Sequence, residues 1–195
     1  PLPGRPLRRW AYVLGARGCP HRCRHCSTVV RKSFGERLRW RDPVRVVDEV
    51  AYHLAAGAEA IAFEDDTFFV DRRHFLALCE EMVRRGIVAP WIANVRPDEL
   101  DEERVAAAAA AGARLLKVGI ETVTPRLVEL MGKTRHGENW RAQTEAGLAR
   151  LKQHRIACVG LFLVGLPTQT RAEIADTLAW ARDLAPDYVK VQIFR

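Results

Sequence analysis

The chain has 195 residues, 48% hydrophobic and 28% charged, with a net charge of +7. That suits one globular domain with a sizeable core and excludes a disordered or fibrous chain. No apolar run reaches the ~18–20 residues of a membrane span, and no charged-then-apolar leader opens the sequence.

Apolar strands and amphipathic helices alternate along the chain. The first strand is "WAYVLGA", residues 10–16. Asp42-Pro43 opens a helix, Asp as N-cap and Pro in the first turn, which runs through Val46, Val47, Val50 and Leu54 to Gly57. The strand "EAIAF" and the polar "EDDT" follow. Asp71 caps the next helix, which stops at Gly86, and the strand "APWIANV" comes after it. Asp101 caps an Ala-rich helix ending at Gly112, ahead of the strand "RLLKVGI". Thr124-Pro125 starts a short helix ending near Gly132, and a longer one covers about 138–154. "IACVGLFLV" is apolar on both faces, as a buried parallel strand requires. Thr170 and Glu173 form a capping box, and "DYVKVQIF" is the last strand.

Six strands separated by helices imply right-handed crossovers and a parallel sheet. A complete eight-unit barrel needs about 250 residues, so the expectation is an α/β fold, a partial (β/α)6 TIM-like barrel. Residues 1–195 are read as the core segment of a longer protein, since the chain lacks an initiating Met and stops just after a strand. Chemistry in such folds sits at the carboxyl ends of strands. Those ends carry a cysteine loop, Glu64-Asp65-Asp66, Asn94 and Arg96, Glu121, Gly165-Leu166-Pro167 and Gln192.

"RGCPHRCRHC" places Cys19, Cys23 and Cys26 within eight residues. Thiolates select zinc, copper(I) or iron–sulfur centres. Zinc could recruit His21 or His25, but four ligands would then crowd a span that structural zinc sites usually spread over two separated pairs. A four-iron cluster normally takes four cysteines; with three, one iron keeps an open coordination position. Cys79 and Cys158 lie in apolar runs and read as inert core thiols, so neither a disulfide framework nor an oxidising compartment is indicated. A reducing cytoplasm is expected.

Residues 1–45 hold twelve Lys and Arg, among them Arg5, Arg8, Arg31 and Lys32, against Glu36 and Asp42. This fits either an anionic partner, RNA or a substrate, or a solvated surface; no aromatic-interleaved motif accompanies the charge. His53, His74, His136 and His154 read as surface residues.

The C-x-x-x-C-x-x-C loop after a first strand resembles the radical SAM superfamily. "RGCPHRCRHCS", "RWRDPVRVVDEV", "FEDDTF", "KVGIET", "LMGKT" and "GLFLVGLP" recur in that order, over nearly the whole chain. The layout is most similar to the branch that carries a cobalamin-binding domain upstream. The resemblance implies a 4Fe–4S cluster on Cys19, Cys23 and Cys26, whose open iron holds the amino and carboxylate groups of S-adenosylmethionine (SAM). One electron then releases a 5′-deoxyadenosyl radical, which abstracts hydrogen from a substrate. It implies that Glu64, Asp65 and Asp66 receive the methionine ammonium, that Glu121 meets ribose or ammonium, and that Lys133 reaches the methionine carboxylate. Gly160 and Gly165 would let adenosine approach, Ile193 would neighbour the adenine, and His25 would stack or sit behind the cluster. Cobalamin, through a domain outside this segment, and a flavodoxin or ferredoxin reductant belong to the same expectation. So does a small-molecule, lipid or peptide substrate. The alternatives are methylthiotransferase-like RNA modification and a non-catalytic zinc or cluster module that binds nucleic acid. Relatives often read Gly-Leu-Pro-Gly-Glu-Thr after the fifth strand; "GLPTQT" puts Gln169 in place of the carboxylate.

Overall fold

A computed structural model describes residues 9–26 and 37–194. Arg5, Arg8, Arg31 and Lys32 of the basic stretch lie outside the described residues. Six parallel strands form one sheet in strictly sequential order: β1 (Trp10–Val13), β4 (Ala60–Phe63), β5 (Trp91–Val95), β6 (Ala113–Glu121), β7 (Ala157–Val164) and β8 (Tyr188–Ile193). A helix joins each strand to its neighbour: α1 (Pro43–Ala55), α2 (Arg72–Arg84), α3 (Glu102–Ala110), α4 (Pro125–Leu130) with α5 (Trp140–Gln153), and α6 (Arg171–Leu184). This is the expected open α/β barrel of six units. Among the described residues no helix is long and apolar enough to cross a membrane.

The helix starts follow the capping chemistry. Asp42, Asp71 and Asp101 each accept a hydrogen bond from the amide three residues on. Thr170 and Glu173 cap each other reciprocally. Each satisfies amides that the first helical turn leaves without partners. On α1, Val46, Val47 and Val50 are buried against the sheet. Phe63, Phe68, Phe75 and Trp91 stack and cross edge to face at centroid distances of 4.4–5.6 Å in the core between sheet and helices. Cys79 and Cys158 are buried there, and burial pushes both thiols up, as expected of inert thiols.

Gly112 ends the turn after α3 with φ +96°, and a Cβ there would lie 2.6 Å from the Ala89 carbonyl oxygen. Gly112→Ala must therefore strain the backbone and push β5 from β6. We expect a loss of about 1–3 kcal/mol, read as a lowered urea midpoint with unchanged m-value.

Two features depart from expectation. "WAYVLGA" is not one strand: it breaks after Val13, and Ala16–Arg17 (β2) pairs antiparallel with Arg39–Trp40 (β3). His74 is not a bare surface residue. Its Nε2 lies 2.7 Å from the Arg41 carbonyl oxygen and its ring stacks on Trp40 at 5.2 Å, pinning β3 to α2. His154 likewise meets Glu102 at 2.7 Å.

Candidate metal centre

The cysteine loop follows β2 and is held from three sides. Asp65, buried after β4, accepts the amides of Gly15 at 2.9 Å and Ala16 at 2.5 Å, which breaks the strand and turns the chain toward the loop. The Arg24 amide donates to the Met131 carbonyl at 2.7 Å, docking the loop on the end of α4. Arg96, at the carboxyl end of β5, donates from Nη1 to Cys23 Sγ at 3.7 Å. Within the loop, the Cys26 amide turns back to the Cys23 carbonyl at 3.2 Å.

A buried ion-pair network lies beside the loop. Glu121 has φ +69°, a left-handed conformation uncommon for a residue with a side chain, next to a register shift between β6 and β7. The shift carries its carboxylate to Lys133 Nζ at 3.0 Å and His25 Nε2 at 3.5 Å. Burial pushes the Glu121 carboxyl up, but Lys133 and His25 override it and hold the group near 2. Lys133 Nζ also donates to the Gly119 carbonyl at 2.7 Å and lies 5.5 Å from the Trp140 ring centroid. A Cβ on Gly119 would come within 2.9 Å of that ammonium, so glycine makes room for it. Beneath the loop, Glu99 accepts from Thr67 Oγ1 at 2.9 Å and the Arg96 amide at 3.1 Å, and faces His21 Nε2 at 3.5 Å.

The expected residues separate into groups. Glu64 and Asp66 are exposed at the mouth, Glu64 facing Lys117 at 3.8 Å. Asp66 lies near enough to Cys19 to raise its thiol. Asp65, expected among the ammonium-binding acids, instead has both oxygens on backbone amides. Burial pushes its carboxyl up to about 6 while those amides hold it down. Lys133, expected to reach a methionine carboxylate, has its ammonium engaged inside the protein. Gly160 does not face the mouth: a Cβ there would meet Phe162, Pro186 and Ile120, so its role is packing. Gly165, at φ +78°, ends β7 with Ile193 opposite it, and Ile193 is 69% exposed. Gln169 Oε1 accepts the amides of Gly165 and Leu166 at 2.7 and 3.1 Å, a task a neutral amide performs without charge. His25, Met131, Leu166, Pro167 and Phe194 line an apolar cavity of about 140 Å³ against the loop. A larger groove, about 660 Å³, lies at the opposite end of the sheet around Ile156, Trp180 and Pro186, and is not lined by Cys19, Cys23 or Cys26.

Asp65→Asn tests the anchoring role. Asparagine offers one carbonyl oxygen where two amides must be accepted, and its NH2 would face an N–H. A loss of about 1–3 kcal/mol is expected, measured as the urea midpoint of the metal-free protein.

The donor set fits an iron–sulfur cluster. Burial first, and then the charges of Asp66, Cys23 and Cys26, raise the Cys19 thiol to about 11 against the opposing His21 amide. Three thiolates so placed need a cationic centre to hold them deprotonated. Among the described residues no group of three or more His, Cys, Asp or Glu is placed to grip a single ion.

A three-thiol loop at the carboxyl end of an open parallel barrel defines a metal-dependent α/β protein. A family model of the radical SAM superfamily matches residues 13–181, and the chain belongs to that superfamily. It is 29% identical over 182 residues to an uncharacterized methyltransferase of Pyrococcus horikoshii, covering 93% of this chain and 38% of that protein. It is 30% identical over 177 residues to the anaerobic magnesium-protoporphyrin IX monomethyl ester cyclase of Rubrivivax gelatinosus, covering 88% and 30%. Among solved structures it is similar to the radical S-adenosylmethionine methyltransferase TsrM of Kitasatospora setae, with a TM-score of 0.85 and 25% identity, covering 94% of this chain and 35% of that one. The chain thus spans about a third of the length of each.

Sequence reasoning placed Arg96 at the mouth without a role and missed Glu99, Thr67 and Trp140. The signal was "NVRPDE": a charged strand end followed by Pro and two acids in one turn.

Proposed function

We propose that residues 1–195 are the core of a radical SAM enzyme, holding a 4Fe–4S cluster on Cys19, Cys23 and Cys26 and SAM at the mouth beside it. The observation that carries this is the placement of three thiols on the loop after the first strand unit, with Arg96 donating to Cys23 and the loop docked on the end of α4. A cluster held there would supply one electron to the SAM sulfonium, breaking its C5′–S bond into methionine and a 5′-deoxyadenosyl radical able to take hydrogen from a C–H bond.

This chain's own residues do the rest. Glu64 and Asp66 present exposed carboxylates to the methionine ammonium. Glu121, aimed by its strained backbone, offers acceptors to ribose hydroxyls. The apolar cavity of His25, Leu166 and Phe194, with Ile193 nearby, keeps water from the adenosine side.

Cobalamin-assisted methylation or ring formation is the outcome we favour. The similarity to TsrM, which has been solved with cobalamin and its 4Fe–4S cluster, supports this reading. The cobalamin would come from a domain outside this segment, and the substrate is a small molecule, lipid or peptide. The electron donor is of the flavodoxin or ferredoxin class, in a reducing cytoplasm. A methylthiotransferase would call on further cysteines for a second cluster; Cys79 and Cys158 are buried core thiols, so those cysteines would have to come from outside this segment.

The test uses the full-length protein, loaded with iron and sulfide without oxygen, reduced and given SAM. Formation of 5′-deoxyadenosine is expected. Bound zinc without iron, or a loaded cluster that yields no deoxyadenosine under strong reductant, overturns the proposal.

A further inference from the structure

We propose that Arg96 raises the electron affinity of the centre on the cysteine loop, and that Asp98 holds this effect in check. The inference rests on the cluster reading above. Arg96 is 6% exposed, and its guanidinium has three attachments. Nη1 donates to Cys23 Sγ at 3.7 Å. Nη2 donates to the Lys133 carbonyl at 2.6 Å. Nε and Nη2 grip the Asp98 carboxylate at 2.9 and 2.7 Å. The Trp140 ring closes the remaining side, 5.9 Å away, and makes the surroundings apolar.

A guanidinium stays charged at any working pH. Buried against an indole, its charge is poorly screened by water. An N–H aimed at a ligand sulfur stabilises negative charge on it, and hydrogen bonds to the sulfurs with local charge are what tune cluster potentials. Reduction is the gain of one electron by the cluster from a low-potential one-electron donor. No bond is made or broken and no proton moves. The reduced state carries the extra negative charge, so Arg96 favours it. Asp98, on the single turn after β5 and partly open to solvent, neutralises part of the same guanidinium and acts oppositely. Lys133 pairs with Glu121, which His25 also faces, and Glu99 faces His21. Arg96 places its cation in direct hydrogen-bond contact with the Cys23 sulfur.

The experiment is a redox titration of the full-length reconstituted protein, followed by the low-temperature EPR signal of the reduced cluster, with iron content measured beside it. In Arg96→Gln the reduced-to-oxidised ratio at a fixed poise should fall about tenfold, which is 59 mV for a one-electron couple. In Asp98→Asn the ratio should rise several-fold. A merely structural clamp would give changes of one sign, or none, in both. Full iron loading with an unchanged ratio in either variant overturns the inference, as do shifts of the same sign. If Arg96→Gln fails to load iron, Asp98→Asn alone decides: a raised ratio supports the inference, and an unchanged or lowered ratio overturns it. A parent protein without an EPR-active cluster overturns the cluster reading itself, and this inference with it.

Discussion

Cys23→Ala is expected to remove the iron–sulfur absorption and to cut 5′-deoxyadenosine formation to the protein-free background. Losing an outer partner of a metal site costs about 10–100-fold, and losing a ligand exceeds that. Three thiolates are already one short of the usual four, so no spare donor is in place. His21 and His25 cannot substitute where they stand. His21 faces Glu99 and His25 faces Glu121, each at 3.5 Å. The control is Cys79→Ala, which opens a small core cavity among Phe75, Leu78 and Met82 and lowers stability. Its iron content should stay at the parent level. Iron per protein, measured before any assay, separates the two. A Cys23→Ala protein that keeps its full iron would exclude Cys23 as a ligand.

Lys133→Met should be the most destabilising single change near the site, by about 3 kcal/mol. Methionine fills the volume but leaves Glu121 buried, with only His25 facing it. It also strips the donor from the Gly119 carbonyl and the cation from the Trp140 face. The pH dependence has a definite sign. Glu121 titrates near 2 in the fold against an ordinary 4.5. Its contribution is therefore complete above pH 4.5 and is lost as pH falls from there toward 2. In Lys133→Met that acid-side slope should shrink. Adding Glu121→Gln removes the stranded charge and should restore much of the loss. Urea unfolding of the metal-free protein at pH 7 and pH 4 checks all three variants. Equal stability of parent and Lys133→Met would mean the pair contributes nothing.

Much of this architecture was legible because it is periodic. Each of the caps at Asp42, Asp71, Asp101 and Thr170 is a local event within one helical turn, so spacing alone finds it. The apolar runs of β4 and β7 likewise announce burial on both faces. What escaped was contact between distant charges. Asp65 and Asp66 are neighbours of one type, yet one anchors β2 and the other faces the mouth; no local pattern separates them. Lys133 is drawn inward by a backbone kink at Glu121 and a gap at Gly119. Strands β2 and β3 have two residues each, too short for any alternation to register. Gly160 looked like a ligand cradle because a missing side chain reads the same whether a cofactor or Pro186 fills the space.

The sequential strand order also sets a timetable. Each new strand leaves the ribosome with its sheet neighbour already made, so the barrel can grow from one edge. The cysteine loop comes first, but its clamp comes late: Arg96 follows Cys23 by 73 residues. At about 5–20 residues per second, the nascent thiols wait roughly 4–15 s for that cation. The α4 docking site and Lys133 arrive later still. Iron and sulfide delivered before then would meet a bare thiol loop, so maturation of the centre belongs after synthesis of the fourth strand of the sheet.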